Sequence, residues 1–308
     1  MTNQKLRGII IPAASPFQAD ESLDIAGLEA NLARWDGTDV VGYMVLGSNG
    51  EFRSLSDDES RQVIATAVGR SSEKTLIVGI GRESLHETLA FMRSIEPLAD
   101  RIDYYSVLTP SYFAKLMDSA ALEDYYLAIA EASPLPIMLY VAPGFANGVV
   151  VEPALLAKLA DYPNIAGVKD TSPTMMADYM AAAGGRDDFT ILAGSLNNIM
   201  AALDHGGPGG VVSAANYLPE ACARLTTLYH AGDHEGAKHH YEQLQTLAKA
   251  TGAAHGVAGL KACMTARGFA AGAPRRPVQA LDGPTQAALA ETLATGLAGL
   301  DDATGGVR

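Results

Sequence analysis

A lysine ends the apolar run IAGVK at residues 165–169 of this 308-residue sequence. Lysine is among the residues least often buried, so the position of Lys169 is informative. In an apolar pocket the ammonium form is disfavoured, and the pKa of the side chain falls. The resulting neutral amine is the nucleophile that Schiff-base formation with a carbonyl requires. Lys169 is therefore a candidate covalent nucleophile, and a lysine that extends its ammonium group to solvent is the alternative.

Two tyrosines follow other apolar runs. Tyr140 ends the run PIMLY, and Tyr112 stands in the segment TPSYF at residues 109–113. A phenol near an amine and a carbonyl can relay protons between them. Both tyrosines are therefore candidate proton-transfer residues, and a core tyrosine with its hydroxyl bonded at the rim is the alternative for each.

The segment Gly47-Ser48-Asn49-Gly50-Glu51 places two small polar residues between two glycines, directly after another apolar run. Glycines permit tight turns, and successive backbone N–H groups in such a turn form an anion-binding nest. The segment is thus a candidate site for a carboxylate or a phosphate. An ordinary turn, with Glu51 accepting hydrogen bonds from loop amides, fits these residues equally well.

Other motifs indicate no further chemistry. His234, His239 and His240 do not have the HExxH spacing of a zinc site, and a solvated helix face explains them better. The glycine-rich segment 206–210 precedes an apolar run, which favours a turn over a phosphate-binding loop. The sequence has no GxGxxG, P-loop or nucleophile-elbow motif. We expect neither a metal nor an organic cofactor.

The candidate residues lie at the ends of short runs that are apolar throughout. Strands buried on both faces of a parallel sheet have this composition. Segments with helical spacing separate the runs, and Ser56 followed by Glu59 is a capping-box pattern that begins one of them. The eight runs cover residues 8–13, 42–46, 75–80, 103–110, 136–141, 165–169, 189–194 and 209–214.

Eight alternating strand–helix units predict a (β/α)₈ barrel of the α/β class with a C-terminal helical extension. We assign residues 1–215 to the barrel, 216–300 to C-terminal helices packed on it, and 301–308 to a frayed tail. Active sites of such barrels lie at the carboxyl ends of the strands, where Lys169 and Tyr140 stand. The C-terminal helices are expected at about 219–231, 234–250, 256–267 and 284–297.

The composition disfavours several classes of partner. A net charge of −13 argues against nucleic-acid binding, which needs basic patches. No stretch approaches the roughly 18–20 apolar residues of a membrane span, and the N-terminal segment lacks a signal-peptide core. Cys222 and Cys263 are expected to be buried thiols rather than a disulfide. We expect a cytoplasmic protein that acts on a small molecule and binds neither nucleic acid nor membrane.

The segments GSNGE, LTPSYF, PIMLYVAP and PNIAGVKD, in this order and at these separations, resemble the dihydrodipicolinate synthase / N-acetylneuraminate lyase superfamily. The resemblance covers about residues 6–290. It implies a (β/α)₈ barrel with C-terminal helices and Schiff-base chemistry on a 2-oxo acid of the pyruvate type. It also implies a homotetramer made of two tight dimers.

The resemblance assigns roles to individual residues. Lys169 matches the family's Schiff-base lysine, and Tyr140 matches the tyrosine that shuttles protons. Ser48 and Asn49 match the pair whose backbone amides hold the substrate carboxylate, and the Ser48 hydroxyl joins the proton relay. Tyr112 matches a tyrosine that crosses the tight dimer interface into the neighbouring site. The remaining expected substrate contacts, close to their strand ends, are Gly47, Thr171 and Val212.

The resemblance defines the substrate less closely. GSNGEF and the closing stretch at residues 256–281 look most like 4-hydroxy-2-oxoglutarate aldolases and related 2-keto-3-deoxy-acid aldolases. Dihydrodipicolinate synthases carry YNVP followed by an arginine for the second substrate. Here VAPGFAN follows Tyr140, and a buried carboxylate without a cation is costly, so that activity is disfavoured.

Several alternatives remain open at this stage. Val141 and Ala142 also depart from the aldolase pattern YSVP. A sugar-acid dehydratase or aldolase would use the same intermediate. An idle barrel that binds or regulates belongs to another functional class.

A distal carboxylate on the substrate would need a cation from elsewhere. Arg82 follows the third apolar run, on the catalytic face of the barrel. We predict that Arg82 binds or steers that distal group, with a solvated loop arginine as the alternative.

Overall fold

Eight parallel strands close into a barrel in chain order in the computed structural model, which describes residues 5–70 and 73–302. Strand β1 pairs with both β2 and β8, which closes the ring. Each predicted apolar run coincides with one of these strands to within a few residues, which confirms the (β/α)₈ prediction. The strands are β1 (Ile9–Pro12), β2 (Gly42–Val45), β3 (Thr75–Gly79), β4 (Tyr104–Leu108), β5 (Ile137–Val141), β6 (Ile165–Asp170), β7 (Thr190–Ala193) and β8 (Gly210–Val211).

The strands are apolar because both of their faces are covered. Every strand residue is buried. Inward side chains fill the barrel, and outward ones contact the surrounding helices. Close approach of neighbouring strands requires glycine at some positions: a Cβ on Gly167 would lie 2.2 Å from the carbonyl oxygen of Thr190 on β7.

A helix follows each strand, and side-chain caps define where several of them begin. Asp118 accepts a hydrogen bond from the backbone N–H of Ala121 at 2.9 Å. Ser56 and Glu59 form the predicted capping box, each side chain accepting from the other's backbone N–H. The eight helices are α1 (Ile25–Asp36), α2 (Asp57–Arg70), α3 (Leu85–Ser94), α4 (Ser119–Ala132), α5 (Pro153–Ala160), α6 (Met176–Ala183), α7 (Ile199–Asp204) and α8 (Pro219–His230).

Three more helices follow within the described residues: α9 (His234–Ala250), α10 (Gly256–Ala266) and α11 (Gly283–Asp302). All four predicted C-terminal helices are present. The first of them, α8, follows β8 as each earlier helix follows its strand, so it takes the place of the eighth barrel helix. Helix α11 continues to Asp302, and residues 303–308 of the expected frayed tail lie outside the described residues.

Candidate active site

Lys169 lies inside the barrel, where an ammonium group is poorly solvated. It is 5% exposed. Its Nζ lies 3.5 Å from the Sδ atom of Met44, on the opposite strand β2, and 4.1 Å from the centroid of the Tyr140 ring. Burial lowers the pKa of Lys169 from 10.5 to about 7. A large fraction of this amine is therefore neutral near pH 7, as the sequence analysis anticipates.

Tyr140 stands beside Lys169 because β5 and β6 pair with these two residues in register. The Tyr140 hydroxyl shares a hydrogen bond of 3.2 Å with Oγ of Ser48. Burial raises the pKa of Tyr140, and the bond to Ser48 opposes this rise. The phenol is therefore protonated at neutral pH and can donate its proton. Lys169, Tyr140 and Ser48 form a continuous chain of groups able to move protons.

The glycine turn after β2 presents free backbone donors. Gly50 N–H donates to the Gly47 carbonyl and Glu51 N–H to the Ser48 carbonyl, both at 3.1 Å. The N–H groups of Ser48 and Asn49 have no acceptor within the described parts of the chain. Two successive unpaired N–H groups are the arrangement of an anion-binding nest. The turn thus has the donors that a substrate carboxylate requires.

A cavity of about 470 Å³ lies at this end of the barrel and is lined by Ser48 and Asn49. Lys169 and Tyr140 do not line it themselves; Ser48, which is hydrogen-bonded to Tyr140, connects the cavity to them. Nδ2 of Asn49 donates to Oγ of Ser213, which follows β8, at 2.7 Å. Two cationic side chains, Arg53 and Lys249, also line the cavity. Its apolar wall consists of Phe52, Leu108, Phe145, Leu196, Val257 and Leu260. Strand ends and C-terminal helices therefore enclose it together.

Arg82 has partners other than this cavity. Its Nη2 donates to Oδ1 of Asp57 at 2.9 Å, and its guanidinium carbon lies 3.8 Å from the centroid of the Phe91 ring. Arg82 does not line the cavity. In this structure the Arg82 guanidinium is thus engaged by Asp57 and Phe91, and its role in binding a distal anion stays a prediction.

Tyr112 is at the surface of the single chain, 77% exposed, and does not line the cavity. Its loop is nevertheless fixed, since Glu83 accepts from the backbone N–H groups of Ser111 and Tyr112, both at 2.8 Å. Arg53 pairs with the same carboxylate. A phenol that is exposed on an ordered loop is compatible with the interface role implied by the resemblance.

The three remaining predicted contacts lie near the site without lining the cavity. Val212 is fully buried, and Gly47 forms part of the glycine turn. Oγ1 of Thr171 donates to the Val141 carbonyl at 3.0 Å, so this hydroxyl ties β6 to β5. Their roles as substrate contacts stay predictions.

Three residues of the site were not predicted from the sequence: Met44, Ser213 and Lys261. Met44 lies on an apolar strand, where nothing distinguishes an inward methionine from ordinary core. Ser213 follows the shortest strand, and only barrel closure brings it to Asn49. Lys261 pairs with Glu51. A lysine within the otherwise apolar segment VAGLKACM was the one available signal of that burial.

The described residues contain neither a metal-binding cluster nor a membrane-spanning helix. No group of three or more His, Cys, Asp or Glu side chains could hold a metal ion there. No helix in those same ranges is long and apolar enough to cross a membrane. Cys222 and Cys263 are free and buried, which confirms the prediction for them.

Comparisons with known proteins agree with this geometry. The model of the dihydrodipicolinate synthetase family matches residues 5–295. A protein named as a probable mitochondrial 4-hydroxy-2-oxoglutarate aldolase, from Emericella nidulans, is 34% identical over 247 residues, covering 77% of this chain and 78% of that protein. A 4-hydroxy-tetrahydrodipicolinate synthase from Methanosphaerula palustris is 31% identical over 292 residues, covering 94% of this chain and 98% of that protein.

A solved structure extends the likeness to three dimensions. It is a prophage protein of the dihydrodipicolinic acid synthase family from E. coli K12, in complex with pyruvate. It aligns with a TM-score of 0.86 and 26% identity, covering 94% of this chain and 98% of that one. The similarity thus spans both the barrel and the C-terminal helices.

Proposed function

Because this chain belongs to the dihydrodipicolinate synthetase family and is a lyase of the aldolase type, we propose that it cleaves a 4-hydroxy-2-oxo acid to pyruvate and an aldehyde. The covalent intermediate is a Schiff base on Lys169. One observation carries this proposal: a buried lysine with a pKa of about 7 stands beside a protonated tyrosine. Such a pair supplies the nucleophile and the acid that imine formation needs.

The free N–H groups of Ser48 and Asn49 bind the carboxylate of the 2-oxo acid. This contact orients the neighbouring C2 carbonyl so that the Lys169 amine approaches it in a reactive geometry. The Ser48 hydroxyl lies between this carboxylate site and the Tyr140 hydroxyl, to which it is hydrogen-bonded. Binding and proton transfer therefore share one residue.

The reaction begins when the neutral amine adds to C2 and forms a carbinolamine. Tyr140 donates a proton to the departing hydroxyl group, water leaves, and an iminium remains. The C4 hydroxyl then gives its proton to the Tyr140 phenolate, and the C3–C4 bond breaks. Its electrons move to the iminium nitrogen, which yields the aldehyde and an enamine. The enamine takes a proton at C3, and water hydrolyses the imine to release pyruvate and Lys169.

The distal part of the substrate occupies the cavity at the barrel mouth. The 34% identical relative is named for the substrate 4-hydroxy-2-oxoglutarate, and the distal part of that molecule is a carboxylate. Arg53 and Lys249 are the cations that line the cavity; Arg53 is already paired with Glu83, so we assign the distal carboxylate to Lys249. Dihydrodipicolinate synthesis, suggested by the 31% identical relative, is the second candidate, although residues 141–148 contain no arginine.

We further propose that the protein assembles as a homotetramer of two tight dimers. The loop that carries Tyr112 exposes Phe113 and Leu116, which are 63% and 68% exposed, and the nearby Phe145 is 65% exposed. Asn147 donates to the Ser111 carbonyl and holds the two segments together. A cluster of this kind on a folded chain is typical of an interface.

Trapping with sodium borohydride and pyruvate tests the covalent step. The imine is reduced to a stable amine, and peptide mass spectrometry should locate the adduct on Lys169. A Lys169→Ala variant should form none, whereas Lys158→Ala, which alters an exposed lysine paired with Glu123, should react normally. No adduct on the unaltered protein, under conditions that trap a known aldolase, would favour the idle barrel.

A substrate panel tests the finer assignment. It comprises 4-hydroxy-2-oxo acids with and without a distal carboxylate, 2-keto-3-deoxy acids, and aspartate semialdehyde with pyruvate, with pyruvate release or consumption measured. Lys249→Ala should lower kcat/KM for the dicarboxylate more than for its monocarboxylate analogue. Arg82→Ala should leave this ratio unchanged; the opposite pattern would return the distal site to Arg82.

A further inference from the structure

A buried ion pair joins the glycine turn to the C-terminal helices. Nζ of Lys261, on α10, lies 2.6 Å from Oε1 of Glu51, the last residue of the turn. The Lys261 side chain is 1% exposed and that of Glu51 is 5% exposed. Neither group takes part in the reaction proposed above. Stability alone explains such a pair poorly, because desolvating two charges offsets most of their attraction.

Contacts from two other segments, at Phe17 and at residues 273–275, fix both partners of the pair. Oε2 of Glu51 accepts from the backbone N–H of Arg275 at 2.9 Å. Lys261 also donates to the Ala273 carbonyl at 3.2 Å, and its Nζ lies 4.0 Å from the centroid of the Phe17 ring. The Glu51 carboxylate is therefore held in one place by groups that are distant from it in sequence.

The turn itself has a backbone that such external contacts must maintain. Leu46 and Glu51, at its two ends, have φ values of 57° and 50°, in the left-handed region. Residues with a side chain adopt this region only where their surroundings impose it. A second side-chain anchor of the turn is Ser15, whose Oγ donates to the Gly50 carbonyl at 2.8 Å. The ion pair therefore acts at a strained end of the turn.

We propose that Lys261 and Glu51 are positioning residues that set the turn so that the N–H groups of Ser48 and Asn49 converge on the substrate carboxylate. This inference rests on the proposed function, since it needs a 2-oxo acid bound at that turn. Two N–H groups bind one carboxylate only when both point at it, which depends on the backbone angles across the turn. Without the cation, the Glu51 carboxylate would move towards water and release the left-handed end.

The test removes both charges together. The double variant Glu51→Gln/Lys261→Met leaves no buried charge without a partner, so it avoids the large destabilisation of a single deletion. Borohydride trapping rates over a range of pyruvate concentrations give a half-saturating concentration and a maximal rate. We expect the half-saturating concentration to rise about tenfold or more, because misplacement of a binding group by ~1 Å can cost about a hundredfold. The maximal rate should fall much less, since Lys169 and Tyr140 are untouched.

A matched control separates this role from general support of the C-terminal segment. Arg276→Met breaks the exposed ion pair between Arg276 and Glu21 and should leave both trapping parameters unchanged. A double variant that melts at a lower temperature but keeps the half-saturating concentration would overturn the inference. Glu51→Asp, which keeps both charges but shortens the side chain by one methylene, serves if the double variant does not fold, and an unchanged half-saturating concentration there would overturn it equally. A missing adduct in the unaltered protein would instead remove the proposed function.

Discussion

The amine of Lys169 owes its reactivity to what surrounds it rather than to a neighbouring base. A thioether and an aromatic face lie beside it, and burial alone lowers its pKa to about 7. No carboxylate within the described residues pairs with it. The same amine in water would be almost entirely protonated at pH 7. The reactivity of the Lys169 amine is therefore a consequence of desolvation.

The pH dependence of trapping follows from this pKa. At low pyruvate concentration, the trapping rate should rise as the pH increases through about 7 and level off above it, because the neutral amine is the reacting form. Stopped incubations from pH 5.5 to pH 9, quenched with borohydride, measure this profile. A rate that keeps rising towards pH 10 would show that the amine is solvated.

The lowered pKa of Lys169 also makes the free energy of unfolding depend on pH. The folded state binds the Lys169 proton less readily than the unfolded state, so this residue costs stability below pH 7. That cost disappears as the pH rises from about 7 to about 10.4, the unfolded pKa. Lys169→Met should therefore stabilise the fold more at pH 6 than at pH 10, as urea unfolding would measure. An equal effect at both pH values would contradict the shift.

Variants of the two hydrogen-bonded residues, Tyr140 and Ser48, distinguish proton transfer from substrate binding. Tyr140→Phe should lower kcat by roughly 10²–10⁴-fold, because the acid for water departure and the base for C3–C4 cleavage are lost together. Ser48→Ala keeps the backbone N–H and should cost about tenfold, equivalent to one hydrogen bond. Steady-state kinetics and pyruvate affinity by calorimetry measure both effects. If Tyr140→Phe weakened pyruvate binding and left kcat unchanged, Tyr140 would be a binding residue.

At the scale of elements, strand composition was sufficient to predict the barrel. Every apolar run became a strand because a sheet buried on both faces tolerates no polar alternation. The carboxyl-end rule then placed Lys169, Tyr140 and the glycine turn together. Arg82 also lies on that face, but the rule could not predict its pairing with Asp57. Strand order fixes the face of the barrel, whereas side-chain pairing is decided by loop geometry that has no periodicity.

Glycines within the strands provide a test of how tightly the barrel is packed. Gly167→Ala places a Cβ at 2.2 Å from a backbone oxygen on β7, so β6 and β7 must separate. We expect a loss of about 1–3 kcal/mol in the free energy of unfolding, as for other overpacked cores. Gly69→Ala on the exposed face of α2 meets nothing within 4 Å and should stabilise by about 0.5–1 kcal/mol. Equal effects of the two changes in urea unfolding would contradict this account.

At the scale of the whole molecule, the C-terminal helices complete the site. Gln245 and Lys249 on α9 line the cavity, and Lys261 on α10 reaches the turn after β2. Sequence predicted these helices from their periodicity. It did not predict their contact with the site, because residues 51 and 261 approach only after the barrel has closed. Long-range contacts of this kind depend on the whole fold and leave no local pattern.

The exposed apolar residues around Tyr112 predict that the protein assembles into oligomers. Phe113→Asp introduces a charge into the exposed apolar cluster and should shift the protein towards smaller species in size-exclusion chromatography with light scattering. Thr292→Asp, on the exposed face of α11, adds the same charge elsewhere and should leave the size unchanged. If the unaltered protein were already monomeric at the concentrations where it is active, a shared interface would not be needed.

Subunit mixing tests whether Tyr112 acts in the neighbouring site. Lys169→Ala and Tyr112→Phe should each have low activity alone. In a mixed dimer, one site combines Lys169 from the Tyr112→Phe subunit with Tyr112 from its Lys169→Ala partner, and that site is intact. Activity after mixing should therefore exceed the sum of the two separate variants, with subunit exchange verified by native mass spectrometry. In an isologous dimer, the two copies of this loop occupy equivalent positions, so each Tyr112 would face the partner's site in the same way. Subunit exchange without any gain in activity would therefore show that the Tyr112 hydroxyl takes no part in the partner's reaction.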